Sequence, residues 1–422
     1  MSNHKLYDFA ILGGGLYGMK LTQMIKNKFP TSKILMIEKK KRHEVANQTK
    51  NFIPLETGYN YPVNSKKFDF VRRGSVELEK LCKENNLEIY EAEQLILAKH
   101  KLEKERMEFF MKQKENIEFK QAFRLLKITF EKAKEIEPLL EFKKLEKVDI
   151  YHLGTVSLVD DMAIKNLIYK NLTKFASENK NSIDFLFNTQ IKELKQGVNE
   201  IEIKSIGLKE KNPINHIAKY VINSSGYSAL DFAHQLGLMI EFKSTKILFN
   251  YYVDKLSENA KFPNAILSMP AFKLNPGISL YIDNEDNCKL GPIYKMKDDV
   301  LGNSSILSSF RNVYEWTKLY SILHSAEKDG YDPDIEYMYN QKIKVINMFK
   351  ELCTLESHKL NSQTAYEIKQ ISSIVYSNKI KKIEEDFMFA ESKNSLHLIN
   401  FNIFGKFSSF IPACEHVCNL IK

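Results

Sequence analysis

Tyr7-Asp8-Phe9-Ala10-Ile11-Leu12 is a short apolar run that passes without a spacer into Gly13-Gly14-Gly15-Leu16-Tyr17-Gly18. A helical segment, Met19 to Lys28, follows, and Lys33-Ile34-Leu35-Met36-Ile37-Glu38 reads as a second buried strand ending on an acid. The pattern predicts a βαβ unit. In it Gly13 allows the tight turn, Gly15 lets backbone N–H groups approach a pyrophosphate, and Gly18 permits close packing of helix on strand. Leu16 and Tyr17 open the helix, whose N-terminus supplies partial positive charge. Glu38, 20 residues after Gly18, stands where a carboxylate accepts ribose hydroxyls, with Lys39 beside it. Strand, glycines, helix, second strand and terminal acid agree on a bound dinucleotide.

The glycine motif by itself leaves NAD and FAD both open. Tyr220-Val221-Ile222-Asn223-Ser224-Ser225-Gly226 is a further strand running into small residues, followed by a helix from Ser228 to Leu236. A second nucleotide-contacting strand end so far along the chain, at Ser225 and Gly226, suits FAD better. The intervening pattern predicts helices at Ser75 to Asn86, Leu102 to Asn116 and Ile128 to Leu140, and a strand at Glu93 to Lys99. It turns β-rich from Ile247 to Tyr294 and helical again from Tyr314 to Ser357. With 422 residues, two folding units are expected. The expected fold class is α/β: a Rossmann-like FAD-binding domain plus a mixed β-sheet substrate domain, discontinuous in sequence. The FAD-binding domain is assigned residues 1–85, 150–237 and 366–422, and the substrate domain 86–149 and 238–365.

Composition narrows the partners. The 62 basic against 53 acidic residues give +9, but nearly all the cations are lysines, and no basic run carries interleaved aromatics. Nucleic acid is therefore not an expected partner. The odd set of five cysteines reads as reduced thiols and a cytoplasmic location. Cys414 and Cys418 flank His416, but without a second ligand cluster they fit a core-facing final helix, so no metal is expected. Asp160-Asp161 and Glu384-Glu385-Asp386 read as solvated acids. No run reaches the roughly 18 apolar residues of a spanning helix, while peripheral contact with a membrane stays open.

In these motifs and their order the chain resembles the D-amino-acid-oxidase-like superfamily of FAD-dependent oxidoreductases, and most closely its L-2-hydroxyglutarate oxidase/dehydrogenase branch. Asn47-Gln48-Thr49 with Thr57-Gly58-Tyr59-Asn60-Tyr61 resembles the branch's flavin-proximal loop. Phe70-Val71-Arg72-Arg73-Gly74, Glu137-Pro138, Gly154-Thr155, Val159-Asp160, Asn223-Ser224-Ser225-Gly226 and Leu290-Gly291-Pro292 resemble later markers. Gly405-Lys406-Phe407-Ser408-Ser409 lies where the family closes over the flavin pyrimidine. The resemblance implies that Gln48, Thr49, Gly58, Gly405, Lys406, Phe407 and Ser408 contact FAD.

The departures bear on the substrate. Glu56 stands at the position of the branch's loop histidine, Ser279 near its second substrate histidine, and Ile374-Val375-Tyr376-Ser377 where a carboxylate-binding Gly-Ile/Val-Arg would lie. Oxidation of a CH–OH or CH–NH bond in a small polar metabolite other than 2-hydroxyglutarate is expected, with oxygen, a quinone or a protein as electron acceptor. Glu56 is the first candidate base, since a carboxylate is ionised at neutral pH. Tyr59 and Tyr61 could orient substrate through their hydroxyls or simply pack. Lys406 is the candidate cation beside the flavin pyrimidine, and Tyr252 and Tyr281 are candidate lining residues of the substrate sheet. The alternative is a flavin-binding protein without turnover that serves as a structural or partner-binding module.

Overall fold

The computed structural model describes residues 5–41, 51–115, 125–140, 147–178, 182–210, 212–255, 264–270, 279–282, 287–295, 366–377, 379–380, 382–400 and 406–421. Two sheets organise them. The first is built around β1 (Leu6–Leu12), whose last four residues are buried on both sides, as expected of a central parallel strand. Helix α1 (Leu16–Lys28) carries the chain from β1 to its parallel neighbour β2 (Ile34–Ile37), so the predicted βαβ unit is present.

The strand order of this sheet is β17-β18-β10-β1-β2-β7, where β7 is Ile183–Leu186, β10 Ile214–Asn223, β17 Met388–Ser392 and β18 Ser395–Ile399. β8 (Thr189–Gln196) and β9 (Ile201–Gly207) form an antiparallel pair attached to β10. Because α1 leads from β1 to β2 on one side while β10 lies parallel on the other, β1 borders a topological switch point. That is where open α/β sheets bind ligands, beyond the C-terminal strand ends. One face packs Ile11, Met36 and Ile222 against α1, α5 (Asp161–Glu178) and α7 (Phe410–Leu420). Ala10, Leu12 and Leu35 pack on the opposite side with Ile201, Ile203 and Phe232, the last from α6 (Ala229–Gln235). Burial of each such aliphatic side chain contributes about 1.5–3 kcal/mol.

The second sheet runs β16-β15-β11-β14-β13-β12-β4-β6-β3 and is mixed: β12 (Ile266–Ser268) pairs in parallel with β4 (Ile89–Ala98), and the other pairs are antiparallel. Its remaining members are β3 (Phe52–Pro54), β5 (Leu126–Ile128, paired with β6), β6 (Asp149–Asp160), β11 (Phe242–Lys255), β13 (Ser279–Ile282), β14 (Asn287–Lys295), β15 (Tyr366–Ser377) and β16 (Lys382–Glu384). Helix α3 (Lys101–Glu115) covers one face through Met107 and Phe110, and α4 (Phe130–Ile136) the other through Ala133. Strands 52–54, 149–160, 366–377 and 382–384 therefore belong to this sheet, although they lie within sequence segments that flank the first.

Some local expectations are corrected. The helix expected over 128–140 is confined to Phe130–Ile136, because Thr129 caps it by accepting from Lys132 N–H and residues 126–128 join the sheet. Helix α2 (Lys66–Glu84) begins nine residues before Ser75, at a Ser65 N-cap whose hydroxyl accepts from Phe68 N–H. The expected helix over 314–357 lies outside the described residues. Asp160 and Asp161 are not solvated: they are 7% and 6% exposed, at the junction of β6 and α5. No described helix is long and apolar enough to cross a membrane.

Candidate active site

The glycine loop is shaped by close backbone approach. Gly13 has φ +96°, and a Cβ there would lie 2.8 Å from the carbonyl oxygen of Ser224. At Gly18 a Cβ would lie 1.8 Å from the Gly13 carbonyl oxygen, so no other residue lets α1 sit this close to the loop. Gly15 differs, because a Cβ on it would meet nothing within 4 Å. It is the N-cap of α1, with no side-chain cap and no acid in the first turn. The helix N-terminus thus opens on free space with its N–H groups uncapped by side chains, the arrangement that receives a phosphate. At the end of β2, Glu38 accepts from Gly14 N–H (2.6 Å) and Lys40 N–H (2.7 Å), which pins its carboxylate beside the same space. Lys39 is exposed. Across the loop, the chain leaves β10 at Asn223 and turns through Ser225 and Gly226, the latter at φ +65° with open space around its Cβ position. These residues fit a dinucleotide. Gln48, Thr49 and Gly405 lie outside the described residues.

A second cluster forms where the segment after β3 meets α2 and the turn before α7. Glu56 donates its N–H to Ser408 Oγ (2.9 Å), and its carbonyl accepts from Ser75 Oγ (2.7 Å). Its carboxylate accepts a hydrogen bond from Tyr61. Tyr61 is 5% exposed, and burial first, then the Glu56 charge, pushes its phenol well above its ordinary pKa, so the proton stays on Tyr61. The Lys67 ammonium lies 4.4 Å from the Tyr61 ring centroid and donates to the Glu385 carbonyl (3.3 Å). Burial lowers Lys67 to about 8, opposed by Glu56, Glu385 and Asp386. Asp386 takes the N–H groups of Lys66 and Lys67, satisfying the start of α2. Thr57 Oγ1 is buried without a partner among the described residues. Gly74 lets α2 reach the turn, since a Cβ there would lie 1.9 Å from the Ser408 carbonyl oxygen.

The turn 406–409 connects the two clusters. Tyr17, in the first turn of α1, donates to the Lys406 carbonyl and lies 3.1 Å from Ser409 Oγ. Phe407 packs on Phe410 with ring centroids 6.1 Å apart, and Ser408 is buried. Lys406 is half-buried. Desolvation lowers its pKa to about 8, repulsion from Lys165 adds to this, and Asp161 opposes it. Asp161 bonds Lys165 at 2.5 Å and accepts from Asn51 Nδ2 at 2.9 Å. Asn51 also donates its backbone N–H to Asp160, and Lys289 of the second sheet donates to Asn51 Oδ1 (3.3 Å) and to the Phe52 carbonyl (2.9 Å).

Of the residues singled out from sequence, the fold gathers Glu56, Tyr61, Ser408, Lys406 and Tyr17, while Gly58 (φ +81°) turns the loop between Glu56 and Tyr61. Tyr59 is instead 7% exposed in the second sheet's core, edge-on to Phe110 at 5.9 Å. Tyr281 lies in that same cluster, and its hydroxyl donates to the Phe52 carbonyl (3.2 Å). Tyr252 is on β11, and its side chain lies outside the described residues. Sequence reasoning missed Lys67, Ser75, Asp161, Lys165 and Lys289. For Lys67 a signal existed, because Val71, Gly74, Leu78 and Cys82 form the buried stripe of α2, and the helical period extends it back to residue 67.

No family profile matches the chain. An L-2-hydroxyglutarate dehydrogenase of Salmonella houtenae is 28% identical over 102 residues, 24% of each protein, so the match spans about a quarter of that relative's length. Among solved structures, dithionite-reduced L-α-glycerophosphate oxidase from Mycoplasma pneumoniae with FAD bound superposes with a TM-score of 0.65 at 16% identity, covering 98% of this chain and 95% of that one. Glycine oxidase from Geobacillus kaustophilus gives 0.62 at 12% identity, covering 98% and 95%. At these identities the likeness shows the fold, and that fold agrees with the one expected from the sequence: a Rossmann-type sheet joined to a mixed sheet.

Proposed function

We propose that this chain, with its D-amino-acid-oxidase-like fold, is an FAD-dependent oxidoreductase acting on a CH–OH or CH–NH bond of a small polar metabolite. The observation that carries the reading is the junction at residues 406–409. There Tyr17 of the dinucleotide helix and Ser408 against Glu56 tie an uncapped helix N-terminus to a half-buried carboxylate. Gly13, Gly15, Leu16, Gly18 and Glu38 would hold the adenosine diphosphate portion, with Ser225 and Gly226 on its other side. The fit of glycerophosphate oxidase with FAD bound supports the same placement. When bound, FAD supplies the acceptor for a hydride.

The residues of the chain do the rest. Glu56 is the group to receive the proton of the substrate O–H or N–H, and Tyr61 steadies that carboxylate with a hydrogen bond while keeping its own proton. Lys67 offsets the negative charge of Glu56. Lys406 brings positive charge to the turn between the clusters, where negative charge that develops on a cofactor ring would be stabilised. A carboxylate in this position disfavours a dianionic hydroxy acid and favours a neutral polyol or an amine. The hydroxy-acid, glycerophosphate and glycine chemistries named for the similar proteins frame the substrate screen.

The test is anaerobic addition of pooled hydroxy acids, polyols, amines and amino acids to FAD-loaded protein, followed by absorbance near ~450 nm. Bleaching by one pool, slowed about 10²–10⁴-fold in Glu56→Gln, is the expected result. Bleaching by dithionite alone would overturn turnover and leave an FAD-binding module.

A further inference from the structure

Three strands meet in register near the dinucleotide site: Leu12, the last residue of β1, lies opposite Asn223, the last of β10, and Asn223 lies opposite His397 in the middle of β18. Asn223, His397 and Ser395 are all 0% exposed. Every polar atom of this buried group must therefore be paired, and the pairing admits one solution. Asn223 Nδ2 lies 2.9 Å from the Ala229 carbonyl oxygen and 2.8 Å from His397 Nδ1. The carbonyl can only accept, so the amide nitrogen must point that way. Asn223 Oδ1 then accepts two hydrogen bonds from Ser225, from its N–H (3.2 Å) and its Oγ–H (2.6 Å). With both amide hydrogens of Asn223 committed, His397 Nδ1 must carry none and accept. Its proton is on Nε2, which donates to Ser395 Oγ at 3.0 Å, and Ser395 Oγ in turn lies 2.7 Å from Ser392 Oγ.

The chain reaches the glycine loop through the turn it fixes. A Cβ on Gly13 would lie 2.8 Å from Ser224 O and 2.9 Å from Ser225 Cα, and one on Gly18 would lie 3.0 Å from Ser224 Oγ. Ser224 Oγ also donates to the carbonyls of Leu12 (3.0 Å) and Gly13 (3.2 Å). The Ser224–Ser225 backbone is thus the surface on which the Gly13–Gly18 loop rests. A rotation of the Asn223 amide would put its NH₂ against Ser225 N–H and lift that surface.

We propose that His397 is a positioning residue for the dinucleotide site: its unprotonated Nδ1 locks the Asn223 amide in the orientation that holds Ser225, and so the floor of the glycine loop, in place. The role rests on the FAD reading above. Burial keeps the imidazole neutral, with its pKa lowered to about 4, so the lock persists across the working pH range.

The test measures FAD dissociation constants by fluorescence titration for the wild type, His397→Leu, His397→Asn, Ser225→Ala and the double variant H397L/S225A, alongside apoprotein unfolding midpoints. Asn can present an oxygen where Nδ1 stands. His397→Asn is therefore expected to keep FAD affinity within about threefold of wild type, whereas His397→Leu weakens it roughly tenfold, the effect of one lost hydrogen bond. Ser225→Ala added to His397→Leu should cost less than Ser225→Ala alone, since the two act through one chain. Equal affinity in His397→Leu and wild type, or full additivity, overturns the proposal. If His397→Leu does not fold, nitrogen-15 NMR of the imidazole decides: Nε2–H is required, and Nδ1–H overturns it. A wild type that binds no FAD, while the tautomer is Nε2–H, refutes the cofactor reading and with it any cofactor role for the lock.

Discussion

Replacing Lys406 by Met separates stability from function. The ammonium sits in a desolvated position facing Lys165, and its pKa falls from 10.5 to about 8. At about 1.4 kcal/mol per pH unit, holding it charged costs the folded chain on the order of 3 kcal/mol at pH 7. Because the side chain keeps some solvent contact, about 1.5 kcal/mol is the discounted figure. The sign follows from proton counting. Between pH 8 and 10.5 the unfolded chain still binds a proton that the folded chain has released, so wild-type stability rises with pH across that window. Lys406→Met removes the cost. Its apoprotein should be more stable than wild type by about 1.5 kcal/mol at pH 7, with the advantage disappearing near pH 10. Circular dichroism in a urea series at the two pH values measures both. In the FAD-loaded protein the same substitution should make the flavin midpoint potential more negative, because a cation that favours the reduced ring is gone. A Lys406→Met apoprotein less stable than wild type at pH 7, or a difference that does not change with pH, would refute the reasoning.

Other outcomes follow from the geometry. Gly18→Ala puts a methyl 1.8 Å from the Gly13 carbonyl oxygen and should lower FAD affinity by at least about 100-fold in equilibrium dialysis. Gly74→Ala drives a methyl to 1.9 Å from the Ser408 carbonyl oxygen and should destabilise the chain by about 1–3 kcal/mol in chemical denaturation. It should also slow substrate oxidation, by moving Ser408 away from Glu56. His397 is neutral in the fold down to about pH 4, whereas the unfolded chain takes up its proton below about 6.5. Its contribution is therefore a loss of stability, up to about 3 kcal/mol, as pH falls from about 6.5 to about 4. Comparing acid unfolding of the wild type with His397→Asn isolates that loss.

What could be read from the residues divides along physical lines. The nucleotide loop was legible because Gly13 and Gly18 are forced by backbone contacts that no other side chain tolerates, and such constraints leave a fixed spacing. The final helix was legible too, since Cys414 and Cys418 repeat on the buried face of α7. The burial of Asp160 and Asp161 was not, because Asn51, which bonds both carboxylates, reaches them only when β3 pairs with β6, whereas their other partners, Met162 N–H and Lys165, are local. Tyr59 and Tyr61 have the same chemistry two residues apart, yet one packs against Phe110 and the other meets Glu56. Their loop follows no period that separates the two outcomes. The 126–128 strand was masked by the helical pattern that follows it, and only the Thr129 cap marks the boundary.

The central claim is that the space between the start of α1, Glu38 and the Ser225–Gly226 turn receives FAD. Titrating the purified protein with FAD while following flavin fluorescence and the visible spectrum tests it most directly, with Gly18→Ala as the control. The account predicts a saturable one-to-one complex with a perturbed flavin spectrum that the control fails to form. A wild-type protein that is colourless as isolated and leaves added FAD free would contradict it.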